Sequence, residues 1–186
     1  KPFVKTNKND FNDALAITEA ASRSSMHFVS VKNIEQHDIQ STHRIRERLI
    51  KQRTQLSNQI RGILMEYGTV LPKSIAVLRR GLPELFDTQS ILSKIGKELL
   101  RDLYHEFIQL EKHIADYEKR LKAICKNRDD CQRLTKIPGI AHITATYLVA
   151  LIGSPKHFKN GRHLAAFIGL VPKQNSSGGK QKLLGI

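Results

Sequence analysis

Two long stripes of apolar side chains constrain this chain more than any other feature. Ile45, Leu49, Gln52, Leu56, Ile60, Ile63 and Tyr67 follow one another at spacings of 4, 3, 4, 4, 3 and 4 residues. At 100° per residue such positions share one face of a helix. Farther along, Phe107, Leu110, Ile114, Tyr117, Leu121 and Ile124 alternate 3, 4, 3, 4, 3, and Leu92, Ile95, Leu99 and Leu103 extend the stripe upstream. No Gly or Pro interrupts residues 34–61, so the first helix should run roughly 25–30 residues and stop near Gly68. Residues 72–83 hold Pro72, Gly81 and Pro83, which predicts a short helix and turns at a tip. Two heptad-spaced helices joined by such a tip predict a long antiparallel helical hairpin, a coiled-coil-like stalk. The spacing sets the seam but leaves open whether each helix pairs within the chain or with another subunit.

The flanks are less regular. Residues 10–23 carry Phe11, Ala14, Leu15, Ile17 and Ala21 without Gly or Pro, which predicts a short amphipathic helix. Residues 26–31 read as a short strand or an extended connector. Residues 127–136 are polar, and Ile137-Pro138-Gly139-Ile140 makes a turn. Residues 144–153 predict an apolar helix, 155–161 a loop, 162–168 a short helix and 169–186 a Gly/Ser/Lys-rich tail. The expected fold is therefore mainly α: a helical hairpin, then a small helical domain with a helix-hairpin-helix-like turn. A boundary is expected near residue 128.

Charge narrows the function. Lys and Arg total 31 against 17 Asp and Glu, a formal net charge of +14. A folded chain with that excess suits a polyanion, either nucleic acid or an acidic membrane surface. No apolar run reaches the roughly 18 residues that a membrane span needs. Trp is absent and the helices lack a lipid-anchoring face, so nucleic acid is the better partner. The only cysteines, Cys125 and Cys131, exclude a disulfide framework and a four-cysteine zinc site, and they fit a reducing cytoplasm. The eight histidines form no HExxH. Lys1-Pro2-Phe3 opens no apolar signal region, and neither end reads as a natural terminus, so a fragment of a longer protein is expected.

Four patterns have chemical content. Asp10 and Asp13 lie three apart at the start of a helix. Carboxylates at that spacing share a face and can join other acids around a divalent cation, although from spacing alone an N-cap and a first-turn acid are the better explanation. Arg44, Arg46, Arg48, Lys51 and Arg53 flank the first stripe with only Glu47 opposing them between residues 44 and 53, which suits phosphate neutralisation or a solvated face. The turn at Gly139 opens a small-residue helix, an arrangement that aims backbone N–H groups at a phosphate or merely packs two helices. Finally, Pro172-Lys173-Gln174-Asn175-Ser176-Ser177-Gly178-Gly179-Lys180-Gln181-Lys182 sets a serine beside glycines and three lysines. That pattern allows a nucleophile with charge stabilisation by Lys173, Lys180 and Lys182, or a solvated linker.

Together these segments resemble one family. Lys8-Asn9-Asp10-Phe11-Asn12-Asp13-Ala14-Leu15-Ala16-Ile17 is similar to the K-x-D-x-x-D-A segment of bacterial insertion-sequence transposases with a RuvC-like DEDD nuclease domain. Leu134-Thr135-Lys136-Ile137-Pro138-Gly139-Ile140 through Thr144-Ala145 resembles the start of their C-terminal transposase domain. Leu164-Ala165-Ala166-Phe167-Ile168-Gly169-Leu170-Val171-Pro172 and Ser176-Ser177-Gly178-Gly179-Lys180 resemble its continuation.

The resemblance implies that Asp10 and Asp13 are the last two of four Mg²⁺-binding acids. It implies that Ser177 is the nucleophile that forms a phosphoserine link to DNA, and that a structured guide RNA and a homo-oligomer take part in the bacterial cytoplasm. It divides the chain into the edge of a RuvC-like domain (residues 1–33), a stalk (34–127) and part of a transposase domain (128–186). The first two acids and the completion of the transposase domain are absent, so the chain alone is expected to be inactive. The alternative is a non-enzymatic helical nucleic-acid-binding or scaffold protein, a degenerate remnant of such an enzyme.

Overall fold

A computed structural model describes residues 9–26, 28, 31–87, 92–171, 174–177 and 180–183. The chain divides into two compact units, Lys1–Val31 and Lys32–Ile186. Its helices are α1 (Asp10–Ala21), α2 (Ile34–Glu66), α3 (Ile75–Asp87), α4 (Lys94–Lys126), α5 (Asp129–Leu134), α6 (His142–Ile152) and α7 (Gly161–Phe167), with a 3₁₀ turn at Pro155–His157. Two short strands, β1 (Gln174–Ser177) and β2 (Lys180–Leu183), follow. The fold is mainly α, and no helix among the described residues is long and apolar enough to cross a membrane.

In the first unit, α1 begins where Asn9 Oδ1 accepts the amide of Asn12 at 2.7 Å. Asn9, not Asp10, is the N-cap, and Asp10 and Asp13 occupy the first turn. The helix buries none of its residues: Phe11 and Ile17 are 75% and 69% exposed. Of the β-rich run at 26–31, residues 27, 29 and 30 lie outside the described residues, and Met26, Phe28 and Val31 belong to no strand.

The second unit is built on α2 and α4. A capping box starts α2: Asn33 accepts the Gln36 amide at 2.8 Å and the Gln36 side chain accepts the Asn33 amide at 3.1 Å. Gly68, at φ +72°, ends it. Arg46 pairs with Glu118 and Arg53 with Glu111; seven residues forward on α2 is seven back on α4, so the helices run antiparallel. Farther on, Tyr67 lies beside Gly96 in the same order. Leu49, Leu56, Ile60 and Leu64 meet Leu100, Phe107, Leu110 and Ile114 in one core, which Leu78 and Leu82 of α3 complete at the tip.

Both predicted stripes need local correction. On α2 the polar member is Arg53, facing Glu111, while Gln52 is exposed. On α4 the upstream seam runs through Leu92, Gly96 and Leu100, leaving Ile95 and Leu99 69% and 55% exposed. A Cβ at Gly96 would stand 2.9 Å from Tyr67 Oη, so the glycine is what lets the helices close there. The tip is more helical than predicted, because α3 runs through Pro83. Proline lacks the N–H that would bond the carbonyl four residues back; Tyr104 Oη donates to that Arg79 carbonyl at 3.2 Å instead. Arg61 ties down the loop before α3 by donating to the carbonyls of Pro72, Lys73 and Ser74 at 2.9–3.2 Å.

At the other end, α5 and α6 pack on the root of the hairpin. Ile39, Leu121 and Ala150 form one cluster, and Cys125, Cys131, Ala145 and Val149 another. Arg128 pairs with both Glu35 and Asp130. His43 Nε2 lies 3.0 Å from Thr146 Oγ1. Gly153, at φ +66°, ends α6 against Gln36, where a Cβ would meet the amide nitrogen at 2.8 Å. The polar stretch 127–136 thus contains a helix, and the predicted tail contains an antiparallel strand pair that matches Gln174 with Leu183 and Ser177 with Lys180.

Candidate nucleic-acid interface

The described site residues predicted from the sequence belong to four parts of the chain: α1, α2, the turn between α5 and α6, and the strand pair. Asp10 and Asp13 are exposed on α1, where their charge suits the positive end of the helix dipole. Carboxylate oxygens are the right donors for a hard divalent cation, but two do not make a site. Among the described residues no group of three or more His, Cys, Asp or Glu can hold a metal.

The basic series on α2 divides by partner. Arg46 donates from Nε and Nη2 to Glu118, the Nε bond at 3.1 Å. Arg53 and Arg79 converge on the two oxygens of Glu111 at 3.5 and 3.4 Å. These three guanidiniums therefore bind the hairpin together. Lys51 pairs with Glu47 at 2.9 Å on the open surface, and Arg48 donates to Gln52 at 3.2 Å. Arg44 is exposed and has no ion-pair partner among the described residues. Positive charge facing solvent on this helix is accordingly smaller than its sequence suggests.

The turn between α5 and α6 has the expected shape. The Ile140 amide bonds the Ile137 carbonyl at 3.1 Å, and Gly139 adopts φ +87°, a region that L side chains avoid. Ala141 then opens α6 in extended conformation with no side-chain cap, so the N-cap residue offers the first-turn amides of α6 no side-chain acceptor. Gly139 is exposed at this turn.

Ser177, Lys180 and Lys182 lie on the strand pair, with Lys182 opposite Asn175 and Ser177 the last residue of β1. Lys173 lies outside the described residues. The backbone thus sets Ser177 at the end of β1, next in the sequence to Gly178-Gly179.

One signal escaped the reading of single motifs. Residues 131–186 contain no Asp or Glu, yet carry eight cations: Arg133, Lys136, Lys156, Lys159, Arg162, Lys173, Lys180 and Lys182. Counting charge by segment would have found it. Lys156, Lys159 and Arg162, around the 3₁₀ turn and the start of α7, are exposed. Nothing within this stretch neutralises them, and a phosphate backbone would.

The buried titratable groups serve structure. Burial, then the charge of Arg46, pushes the His43 imidazole below its ordinary value. Burial, reinforced by Asp130, raises the Cys131 thiol to about 12, so it is no nucleophile at neutral pH. The Arg128 hydrogen bond holds Asp130 below the usual carboxylate range.

The chain is basic and helix-dominated, with a glycine turn and a serine-bearing strand pair, and comparison with known proteins gives its class. Residues 131–186 match the family described as "Transposase IS116/IS110/IS902 family", and residues 1–69 match the DEDD-type IS110 transposase family. The chain is 48% identical over 187 residues to the transposase for insertion sequence element IS1111A of Coxiella burnetii, an alignment covering all of this chain and 51% of that protein. It is 40% identical over 188 residues to the transposase for insertion sequence element IS1328 of Yersinia enterocolitica, covering 100% of this chain and 55% of that protein. No solved structure matches. The chain belongs to the IS110/IS116/IS902 family of insertion-sequence transposases, and it spans about half the length of these curated relatives.

Proposed function

We propose that this chain is the stalk-bearing part of an enzyme that breaks and joins DNA strands for an insertion sequence. The observation that carries this is the acid-free segment 131–186, eight cations without one carboxylate, joined to a serine at a strand end. In this reading the Ser177 hydroxyl attacks a DNA phosphorus, the strand's own oxygen leaves, and a phosphoserine link holds the broken end. Lys173, Lys180 and Lys182 offset the charge that develops on the phosphate.

Asp10 and Asp13 supply two of the carboxylates for a divalent cation, Mg²⁺, whose remaining ligands come from outside this chain's described residues. When bound, that ion would polarise a phosphoryl oxygen. Arg44, Arg48, Lys51 and the turn at Gly139 position nucleic acid without reading its sequence. A structured guide RNA and a second copy of the protein complete the assembly, in the bacterial cytoplasm.

The test is covalent capture. In a protein extended to the full length of its relatives, Ser177→Ala is expected to abolish a protein–DNA adduct that survives denaturation. An adduct that persists refutes the nucleophile. Asp13→Asn is expected to abolish strand cleavage while leaving DNA affinity largely intact, because it removes a negative charge near phosphates. Loss of affinity alongside activity would assign Asp13 to folding instead.

A further inference from the structure

We propose that the cleft between the last turns of α4, the helix α5 and the first turn of α6 seats the phosphodiester backbone of a DNA strand. The inference deepens the DNA-contact reading and rests on it. The cleft is open and holds about 630 Å³, lined among others by Lys122, Lys126, Gln132, Thr135, Ala141 and His142. Lys122 and Lys126 are exposed and stand one helical turn apart on its α4 wall, about 6 Å along the axis. Neither forms an ion pair among the described residues, unlike Lys119, which pairs with Asp116 at 3.6 Å on the same helix.

The opposite wall adds hydrogen-bonding groups without adding negative charge. Gln132 of α5 and Thr135 just after it lie there, the Gln132 amide nitrogen donating to the Lys126 carbonyl at 2.5 Å and the Thr135 hydroxyl to the Gln132 carbonyl at 2.8 Å. Asp129 and Asp130, the nearest acids in the sequence, do not line the cleft, and Asp130 is held by Arg128 at 2.8 Å. The floor is the uncapped start of α6. Two unpaired ammonium groups facing an acid-free wall leave a site whose charge only an anion balances. The far wall is continuous with the acid-free stretch 131–186, which favours a long polyanion over an acidic peptide.

The experiment measures binding of the chain to duplex DNA and to an RNA hairpin by fluorescence anisotropy across a salt series. Lys122→Gln with Lys126→Gln is expected to lower the DNA slope of log K against log salt by about 2, at roughly 0.9 per phosphate contact, with the melting midpoint unchanged. Lys94→Gln with Lys112→Gln removes the same charge elsewhere on α4 and should leave the slope unchanged. A wild-type slope in the first variant, an equal drop in the second, or a drop confined to RNA overturns the proposal. If the unaltered chain shows no salt-dependent DNA binding, the DNA-contact reading falls as well. If it binds and the cleft variant keeps the wild-type slope, the cleft alone falls.

Discussion

Charge is arranged differently in the stalk and in the segment that follows it. Residues 34–126 hold seventeen cations and twelve acids, and several of the arginines reach acids across the seam, as Arg46 does with Glu118 and Arg53 with Glu111. Residues 131–186 hold eight cations and no acid. The first region uses charge to fix which helix lies against which and in what register. The second has no acid of its own to neutralise its cations, and in the proposed function they meet nucleic acid. The same residue types therefore carry opposite consequences, and substitution should separate them: stalk changes act on stability, later changes on binding.

The largest effect belongs to the stalk core. Phe107 and Leu100 are fully buried where α2, α3 and α4 meet. Phe107→Ala or Leu100→Ala should lower stability by about 3–5 kcal/mol through lost burial and an unfilled cavity, read as an earlier midpoint in urea. A loss below 1 kcal/mol would mean that the three helices do not pack as described. Next comes Gly153→Ala, which combines an unfavourable φ of +66° with a Cβ 2.8 Å from the Gln36 amide. It should cost about 1–2 kcal/mol, because Ala is strained at positive φ. Measured against Gln36→Ala alone, which loses the α2 capping box, the Gly153→Ala cost should shrink by the part due to the close contact and keep the backbone part.

A pH titration sharpens the junction between stalk and α6. His43 has its folded pKa lowered, by burial first and by Arg46 second, so the unfolded chain binds the proton more readily. The stabilising contribution is complete above the ordinary imidazole value near 6.5 and is lost as pH falls through that value toward the depressed one. His43→Gln should flatten stability across that window while wild type declines. Matching curves would remove His43 from the junction's pH response. Smallest is the Arg46–Glu118 pair, whose side chains are 21% and 43% exposed. A double-mutant cycle should give a coupling of about 0.5–1 kcal/mol that shrinks in salt; zero coupling would leave the register to the apolar seam alone.

These elements differ in how far they could be read beforehand. The two long helices were legible because burial on one face imposes a 3–4 spacing over many turns, and Gly68 marked the first end. The seam itself was misread where its members are not apolar. Gly96 carries no side chain to count, and Arg53 buries its stem while Gln52, at the nominal position, faces water. Asn9 displaced Asp10 as the cap because both are good N-caps and spacing does not rank them. Helix α5 was hidden in a polar stretch, where one buried residue, Cys131, anchors it against α6. The strand pair at 174–183 depends on pairing between polar segments, so a local pattern did not betray it. The roles proposed for Asp10, Asp13 and Ser177 rest on a family pattern alone, since no local geometry among the described residues marks them as a site.

The contrast between the two regions is tested most directly by neutralising three exposed cations of the later segment together, Lys156→Gln, Lys159→Gln and Arg162→Gln, and measuring the salt dependence of duplex DNA binding. The account predicts a slope shallower by about 2–3, at roughly 0.9 per lost phosphate contact, with the unfolding midpoint unmoved. An unchanged slope, or a slope change that appears only with a collapse of the midpoint, would contradict it.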